Sequence, residues 1–422
     1  MTGVNNRVRI DPERLHARLA ALGQVGALPG GGVCRLAFSE ADRQGRDLVV
    51  RWMQELGLGV TIDAIGNIIG LRTGRQPGPP VIIGSHIDTV ATGGIYDGAL
   101  GVLAGLEVVA ALNEAGAGTA RPIAVAAFSN EEGARFAPDM MGSLVHVGGL
   151  PVADARAVRG IDDATVGACL DRIGYAGAAP CGRPDVHAYL ELHVEQGPVL
   201  EAAGTEIGVV EGVQGISWTE ISFRGTSAHA GTTPIHLRHD AGLAAAEVAV
   251  GLRRLALELG EGQVATVGAL TLAPNLVNVI PDRAVMTADL RNPQETLLQT
   301  AERRLLELVQ DAASRHGVAA GTRSLARFAP VPFDAGMIDR IETHAHRLGL
   351  SSRRMSSGAG HDAQMLAPVC PAGMIFVPSA RGLSHNIAEF TAARDVANGA
   401  ALLLAVVLDL AGGVAAADGT GA

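Results

Sequence analysis

The sequence predicts an α/β fold, a mostly parallel-sheet domain interrupted by a smaller inserted α+β domain. Three observations carry this. Apolar strand-like runs alternate with helical runs through the first half of the chain and again at its end, the rhythm of a buried parallel sheet. Near Val209 the texture changes to alternating, half-polar strands with two amphipathic helices. The 422 residues, 48% of them apolar, are too many for one ordinary core. The expected domains are 1–213, 214–330 and 331–422, with the first and last forming one unit.

The elements follow in order. Asp11 to Leu22 reads as an amphipathic helix with Asp11 as N-cap and Pro12 at its first position. A second helix runs from Ser39 to Leu56 and stops at Gly57. Strand-like runs follow at "GVTIDAIGNIIGLR", "PPVIIGSHI" and "RPIAVAAFSN", and "ALGVLAGLEVVAALNEAG" is a helix between the last two. Another strand, "VHAYLELHV", precedes Glu195. The inserted part has strands in "GVVEGVQGISWTEISFRGTSAHAG", a helix from Asp240 to Leu259, further strands in "GQVATVGALTLAP" and "NLVNVIPDRAVMTADLR", and a helix from Pro293 to His316. The α/β pattern then returns with "SSRRMSSGAGHDAQML", "AGMIFVP" and a last helix.

Composition removes several classes of function. A net charge of -10 without a long basic run excludes nucleic acid as the main partner, and 3% aromatics leaves few platforms for base stacking. The four cysteines (Cys34, Cys169, Cys181, Cys370) have no CxxC spacing, which excludes a zinc knuckle and predicts reduced thiols in a cytoplasm. "MTGVNNRVRIDPERL" lacks the apolar centre of a signal peptide. "AALLLAVVLDLAGG" meets Asp409 too soon to span a bilayer, so a buried terminal helix and no membrane contact are expected.

The chemistry gathers at strand ends. In "VIIGSHIDTVATGGIYDGALGV" an apolar run stops at Gly84 and is followed by His86, Asp88 and Asp97. Imidazole and carboxylate are the usual ligands for zinc, manganese or cobalt in a hydrolytic site, and open α/β sheets place their sites at such strand ends. The Gly93-Gly94 turn can return Asp97 to His86, and Asp88 can hydrogen-bond the second nitrogen of His86. A tight hydrogen-bonded turn is the bland alternative for the same stretch. The next strand ends at Glu131 and Glu132, either a solvated acidic loop or a metal ligand beside a general base. His193 shares a strand face with Glu191 and Glu195, and His385 stands just before the last helix. A core histidine and a capping loop are the bland alternatives.

The pattern across these stretches is more specific than any one of them. "GSHIDTV", "GGIYDGALGV", "NEEGARF", "ELHVEQGPVLE", "GTSAHAGTTP", "SGAGHDAQ" and "GLSHNIAEF", in this order over nearly the whole chain, resemble the M20 metallopeptidase-type amidohydrolases. Within them the resemblance is to the branch of N-carbamoyl-L-amino acid hydrolases, allantoate amidohydrolases and β-ureidopropionases.

The resemblance implies two divalent ions per subunit, of zinc, manganese, cobalt or nickel. Asp97 would bridge them, with His86 and His193 completing one site and Glu132 and His385 the other. It implies Glu131 as general base. It also implies that His229 reaches a neighbouring subunit's site to stabilise an oxyanion, which makes the inserted domain a dimerisation domain and the protein a homodimer. Asn278 and Arg291 match binders of a substrate carboxylate, a task the planar Arg fork suits. Gln196 could bond a ureido group, and Gly358 and Gly360 could offer backbone N–H groups. His361 and Asp362 are expected only to support their loop.

The implied activity is hydrolysis of an N-carbamoyl-L-α-amino acid. Allantoate and then β-ureidopropionate hydrolysis are the nearest alternatives. A catalytically dead peptidase-like binding protein, the rival of another class, would have lost a ligand or the base, and every such position holds a competent residue. Tyr96 before Asp97 and Ile387 after His385-Asn386 are local departures that remove no chemical group.

Overall fold

The computed structural model describes residues 8–182, 185–260 and 262–416. Gly212–Pro332 is one compact unit, and the chain on either side of it forms the other.

The first unit opens with α1 (Pro12–Gly23), where the Asp11 carboxylate accepts the N–H groups of Glu13 and Arg14, and α2 (Glu40–Glu55), capped by Ser39. The run "GVTIDAIGNIIGLR" is not one strand but a hairpin of β1 (Gly59–Ile62) and β2 (Ile68–Arg72). Asp63 breaks it by accepting from the N–H groups of Ile65 and Asn67, a side-chain turn that competes with the ladder. Then come β3 (Val81–His86), α3 (Ala99–Glu114), the short β4 (Ala117–Thr119) and β5 (Ile123–Phe128). Three short helices, α4 (Met141–His146), α5 (Val152–Ala157) and α6 (Val166–Ile173), fill a stretch for which sequence periodicity indicates nothing. After β6 (Ala188–Val194) and α7 (Val199–Ala203) the chain leaves along β7 (Ile207–Val213).

The inserted unit contains β8 (Gly215–Arg224), β9 (Ala228–His229), α8 (Ala241–Leu259), β10 (Val264–Ala273), β11 (Val279–Ile280), β12 (Arg283–Asn292), α9 (Glu295–His316), β13 (Ala319–Phe328) and β14 (Val331–Pro332). Four of these form an antiparallel sheet in the order β10-β12-β8-β13. Phe223, Met286 and Leu290 of its inner face pack with Val248 and Leu252 of α8 and Leu305 and Val309 of α9. β10 is an edge strand, and its Val264, Leu270 and Leu272 are exposed. So are Leu243, Val250 and Leu257, seven residues apart on α8 and hence on one stripe.

The chain returns through α10 (Ala335–Arg347), β15 (Ser352–Ser357), α11 (Asp362–Leu366), β16 (Ala372–Val377), α12 (Ala393–Leu410) and β17 (Val414–Ala416). The large sheet runs β1-β2-β5-β3-β6-β16-β7-β14. β5, β3, β6 and β16 are mutually parallel, while β2 and β7 join antiparallel. The sheet is therefore parallel at its centre, where the ligand-type residues end up, and antiparallel at its flanks. Every residue of β3, β5, β6 and β16 is buried, which is why these strands read as unbroken apolar runs. α3 is apolar all round and almost wholly buried, and its one buried charge, Glu107, pairs with Arg14. No described helix is long and apolar enough to cross a membrane.

Candidate metal centre

Central strands deliver the first ligands. His86 is the last residue of β3, and His193 lies in β6, the neighbouring parallel strand. His86 Nδ1 lies 2.9 Å from the carbonyl oxygen of Asp88, and His193 Nδ1 lies 2.9 Å from that of Val194. A carbonyl only accepts, so Nδ1 carries the proton in both rings and Nε2 presents a lone pair. The Gly98 N–H pointing at His193 Nε2 (3.2 Å) fits that tautomer. Gly98 itself has φ 63°, and a Cβ there would stand 2.3 Å from His86 Nε2, so the turn into α3 tolerates no side chain.

Asp97 lies in that turn. Its Oδ1 is 3.2 Å from His193 Nε2 and 3.6 Å from His86 Nε2. Its Oδ2 is 3.5 Å from His385 Nε2, and His385 Nε2 is 3.2 Å from Glu132 Oε2. Glu131 Oε2 stands 3.3 Å from His86 Nε2. His86, Asp97 and His193 form one group of converging ligand atoms, and Asp97, Glu132 and His385 form a second. Both belong to the first unit, around a cavity of about 100 Å³ also lined by Gln196, Gly360 and His361.

The charge balance asks for cations. Burial, only partly offset by His86, pushes Glu131 well above the usual carboxylate range. Burial pushes Asp88 up to about 6. Burial works against the ionised form of Asp97 too, yet hydrogen bonds from Nε2 of His193 and His86, when those atoms are protonated instead of holding an ion, keep it well below that range. The hydrogen bond to Glu132 raises His385 to about 9. Buried carboxylates thus compete for protons on the histidines, the situation that divalent ions relieve. An all-nitrogen-and-oxygen donor set with a shared carboxylate fits such ions. A third group, Glu191, His193 and His361, is a weaker fit, because Glu191 already accepts from Ser85, Tyr189 and the Ala363 N–H.

A family model for peptidase family M20/M25/M40 matches residues 82–409. The chain belongs to that family. Two curated M20-family relatives are N-carbamoyl-L-amino-acid amidohydrolases. The one from Rhizobium meliloti is 40% identical over 410 residues, covering 97% of this chain and 98% of that protein. The one from Geobacillus stearothermophilus is 41% identical over 411 residues, covering 96% and 100%. Among solved structures, an amidase of the hydantoinase/carbamoylase family from Burkholderia multivorans superposes with a TM-score of 0.94 at 43% identity, covering 96% of this chain and 98% of that one.

The other expected residues of this M20 chain are placed less simply. The Asp88 carboxylate does not bond His86. It is turned toward the N–H groups of Glu131 and Glu132 (3.3 Å each) and lies 4.0 Å from Nδ1, whose partner is the Asp88 carbonyl instead. Asp88 therefore orients both acidic residues through their backbone. Gln196 donates to Asp97 Oδ2 (2.9 Å), and its buried Oε1 has no protein partner. Gly360 lines the cavity, while Gly358 is exposed two residues earlier.

In the inserted unit His229 and Asn278 are exposed neighbours. His229 pairs in register with Val279, and the Asn278 carbonyl accepts from the Ala230 N–H. Arg291 is elsewhere, near the far end of β12, with Nε and Nη2 on Asp289 at 2.9–3.1 Å.

Three more residues adjoin the centre: His361, expected only to support its loop, and Ser384 and Glu389, for which the sequence sets no expectation. His361 is buried with its ring 4.6 Å from that of His193, and Ser357 holds its Nε2 at 2.8 Å. Ser384 donates to Asp97 Oδ2 at 2.8 Å. Glu389 accepts from the N–H groups of Tyr96 and Asp97, and burial together with the Asp97 charge pushes it up to about 7. "GLSHNIAEF" contains both Ser384 and Glu389, but nothing local in it points to Asp97.

Proposed function

We propose that the chain is a two-metal amidohydrolase acting on N-carbamoyl-L-α-amino acids, which it converts to the L-amino acid, ammonia and carbon dioxide. The supporting observation is the pair of ligand groups sharing Asp97 with Glu131 set against them, in a chain whose near-full-length relatives carry that activity's name. His86, Asp97 and His193 would hold one ion, and Asp97, Glu132 and His385 the other. Bound there, such ions would supply Lewis-acid polarisation of the ureido carbonyl and would lower the pKa of a water.

The protein's own groups do the rest. Glu131 takes the proton of the water as its oxygen bonds the ureido carbon and returns it to the leaving amino nitrogen as the C–N bond breaks, and the carbamic acid so released falls apart to ammonia and carbon dioxide. Its enclosure, which favours the protonated form, suits the second half of that task. Gln196 is fixed by Asp97 through its Nε2, and its unpartnered Oε1 is the acceptor for the ureido NH₂. Gly360 contributes backbone to the cavity wall, and Gly358 extends the same loop. Arg291 of one subunit and Asn278 of the other bind the substrate carboxylate.

His229 completes the site of a second subunit in a homodimer. The exposed edge strand β10 and the apolar stripe Leu243–Val250–Leu257 support a self-association surface on the inserted unit. His229 and Asn278 lie together, whereas Arg291 is eight residues along β12 from Arg283, roughly 26 Å of strand. The four unpaired cysteines suit a reducing cytoplasm.

The test is turnover by metal-loaded protein of N-carbamoyl-L-methionine, its D enantiomer, β-ureidopropionate and allantoate, read as ammonia release, and of N-acetyl-L-methionine, read as free methionine. N-carbamoyl-L-methionine is expected to lead. Turnover confined to allantoate or to the acetyl compound refutes the assignment.

A further inference from the structure

Glu389 is not one of the ligand-type residues, yet it is far more enclosed than one of them. It is 7% exposed, whereas the side chain of His385, four positions earlier, is 51% exposed. Its two oxygens have different tasks. Oε1 accepts the N–H groups of Tyr96 (3.2 Å) and Asp97 (3.1 Å). Oε2 lies 3.1 Å from the Ser384 hydroxyl, which is itself 2.8 Å from Asp97 Oδ2. One side chain therefore holds the backbone of the turn carrying Asp97 and, through Ser384, the residue next to His385. The bond to Asp97 spans 292 positions of sequence.

Two further features depend on this grip. A Cβ on Gly94 would stand 2.2 Å from Glu389 Oε1, so the second glycine of the Gly93-Gly94 turn leaves room for that carboxylate. His385 has φ 53°, a left-handed conformation that a non-glycine residue keeps only where its surroundings impose it. The loop is closed at its base by the Ala380 N–H on the Phe390 carbonyl (2.8 Å), next to Glu389. By contrast, His86 and His193 stand on wholly buried strands and need no such support.

The geometry points to Glu389 as a positioning residue that clamps the His385 loop to the Asp97 turn, so that the Asp97–Glu132–His385 group stands assembled before an ion arrives. The inference rests on reading those three residues as ligands. Without the clamp the second ion position fails while the position at His86 and His193 survives.

The test uses the full-length chain and zinc as the probe, with Glu389→Ala, Gly94→Ala and Glu389→Gln. Zinc content after dialysis and competition against a chromophoric chelator give affinity at each position. Wild type is expected to hold two ions. Glu389→Ala and Gly94→Ala, which attack the contact from opposite sides, should keep one ion at wild-type affinity and bind the second about 10- to 100-fold more weakly. Glu389→Gln should restore the second ion, since its amide keeps an acceptor for the two N–H groups and a donor for Ser384.

Hydrogen exchange in chelator-stripped protein supplies a metal-free readout. Residues 95–98 and 379–391 should exchange at least tenfold faster in the two alanine variants, with β3 unchanged. Unchanged exchange, unchanged zinc binding, or joint loss of both ions overturns the clamp. If wild type binds fewer than two zinc ions, the two-metal reading fails, and exchange at the two segments alone decides whether Glu389 clamps them.

Discussion

The two units treat their chemistry-bearing residues in opposite ways. In the first unit His86, Asp97, Glu131 and His193 are enclosed, each within 3.6 Å or less of another, and the enclosed Glu132 stands 3.2 Å from the half-exposed His385. In the inserted unit His229 and Asn278 lie in the open, and Arg291 is far along the strand with its guanidinium on Asp289. The first arrangement is complete within one fold, since buried strands fix the histidines and backbone N–H groups fix the carboxylates around them. The second has the form of a surface waiting for something to bind. On the function proposed above, the preorganised centre would carry the chemistry and the open surface would serve recognition and the partner's site.

The largest effect expected from breaking this contrast is loss of the ions. Exhaustive chelation, verified by elemental analysis, should abolish turnover, and manganese, cobalt or nickel should restore it, because all donors are nitrogen or oxygen. Full activity in verified metal-free protein contradicts the division.

Next comes His229. His229→Ala and Glu131→Ala should each be nearly inactive as homodimers. Co-expression puts half of the protein in hybrids with one intact site of two, so about a quarter of wild-type activity should return if His229 serves the partner's site. Purified hybrids that stay inactive place His229 in its own subunit's site.

Arg291→Lys should act on binding more than on chemistry. KM should rise about tenfold or more with kcat changed less, since an ammonium cannot reproduce the guanidinium fork. A substrate amide lacking the carboxylate is the control. A variant that still discriminates against the amide as strongly as wild type shows that Arg291 is not the anchor.

The smallest effect on activity, but a clear one on stability, concerns His146. Burial pushes it down to about 4 from its ordinary 6.5, and its Nε2 is buried without a partner. Between those values the unfolded chain binds a proton that the folded chain refuses. Stability is therefore full above pH 6.5 and falls as the pH drops toward 4, by on the order of 3 kcal/mol. His146→Leu, studied in metal-free protein, should flatten the acid limb of the unfolding midpoint against pH. An unaltered limb means another group sets it.

What could be read in the sequence follows the same contrast. The α/β class is legible because the central strands are apolar on both faces and α3 all round. The candidate ligands are legible because strand ends and glycine turns show where polar residues leave such strands. Asp63 hides a hairpin, because a side-chain turn resembles a polar break within a strand. The sequence pairs the Asp88 carboxylate with the adjacent His86, although its partners are two N–H groups more than forty positions away. Ser384 and Glu389 stay invisible for the same reason, since a hydrogen bond across the chain leaves no periodicity behind. The separation of Arg291 from Asn278 is a matter of strand register, which a linear reading does not convey.

The most direct test of a preorganised centre in the first unit lies in its adjacent acids. Glu131→Gln and Glu132→Gln change neighbouring residues by the same atom, and each variant is measured for ions per subunit and for turnover of N-carbamoyl-L-methionine. Glu131→Gln is expected to hold the wild-type complement of ions and lose about two to four orders of magnitude in kcat. Glu132→Gln is expected to lose affinity for one ion. Near-normal turnover in Glu131→Gln, or loss of an ion there and not in Glu132→Gln, contradicts the assignment.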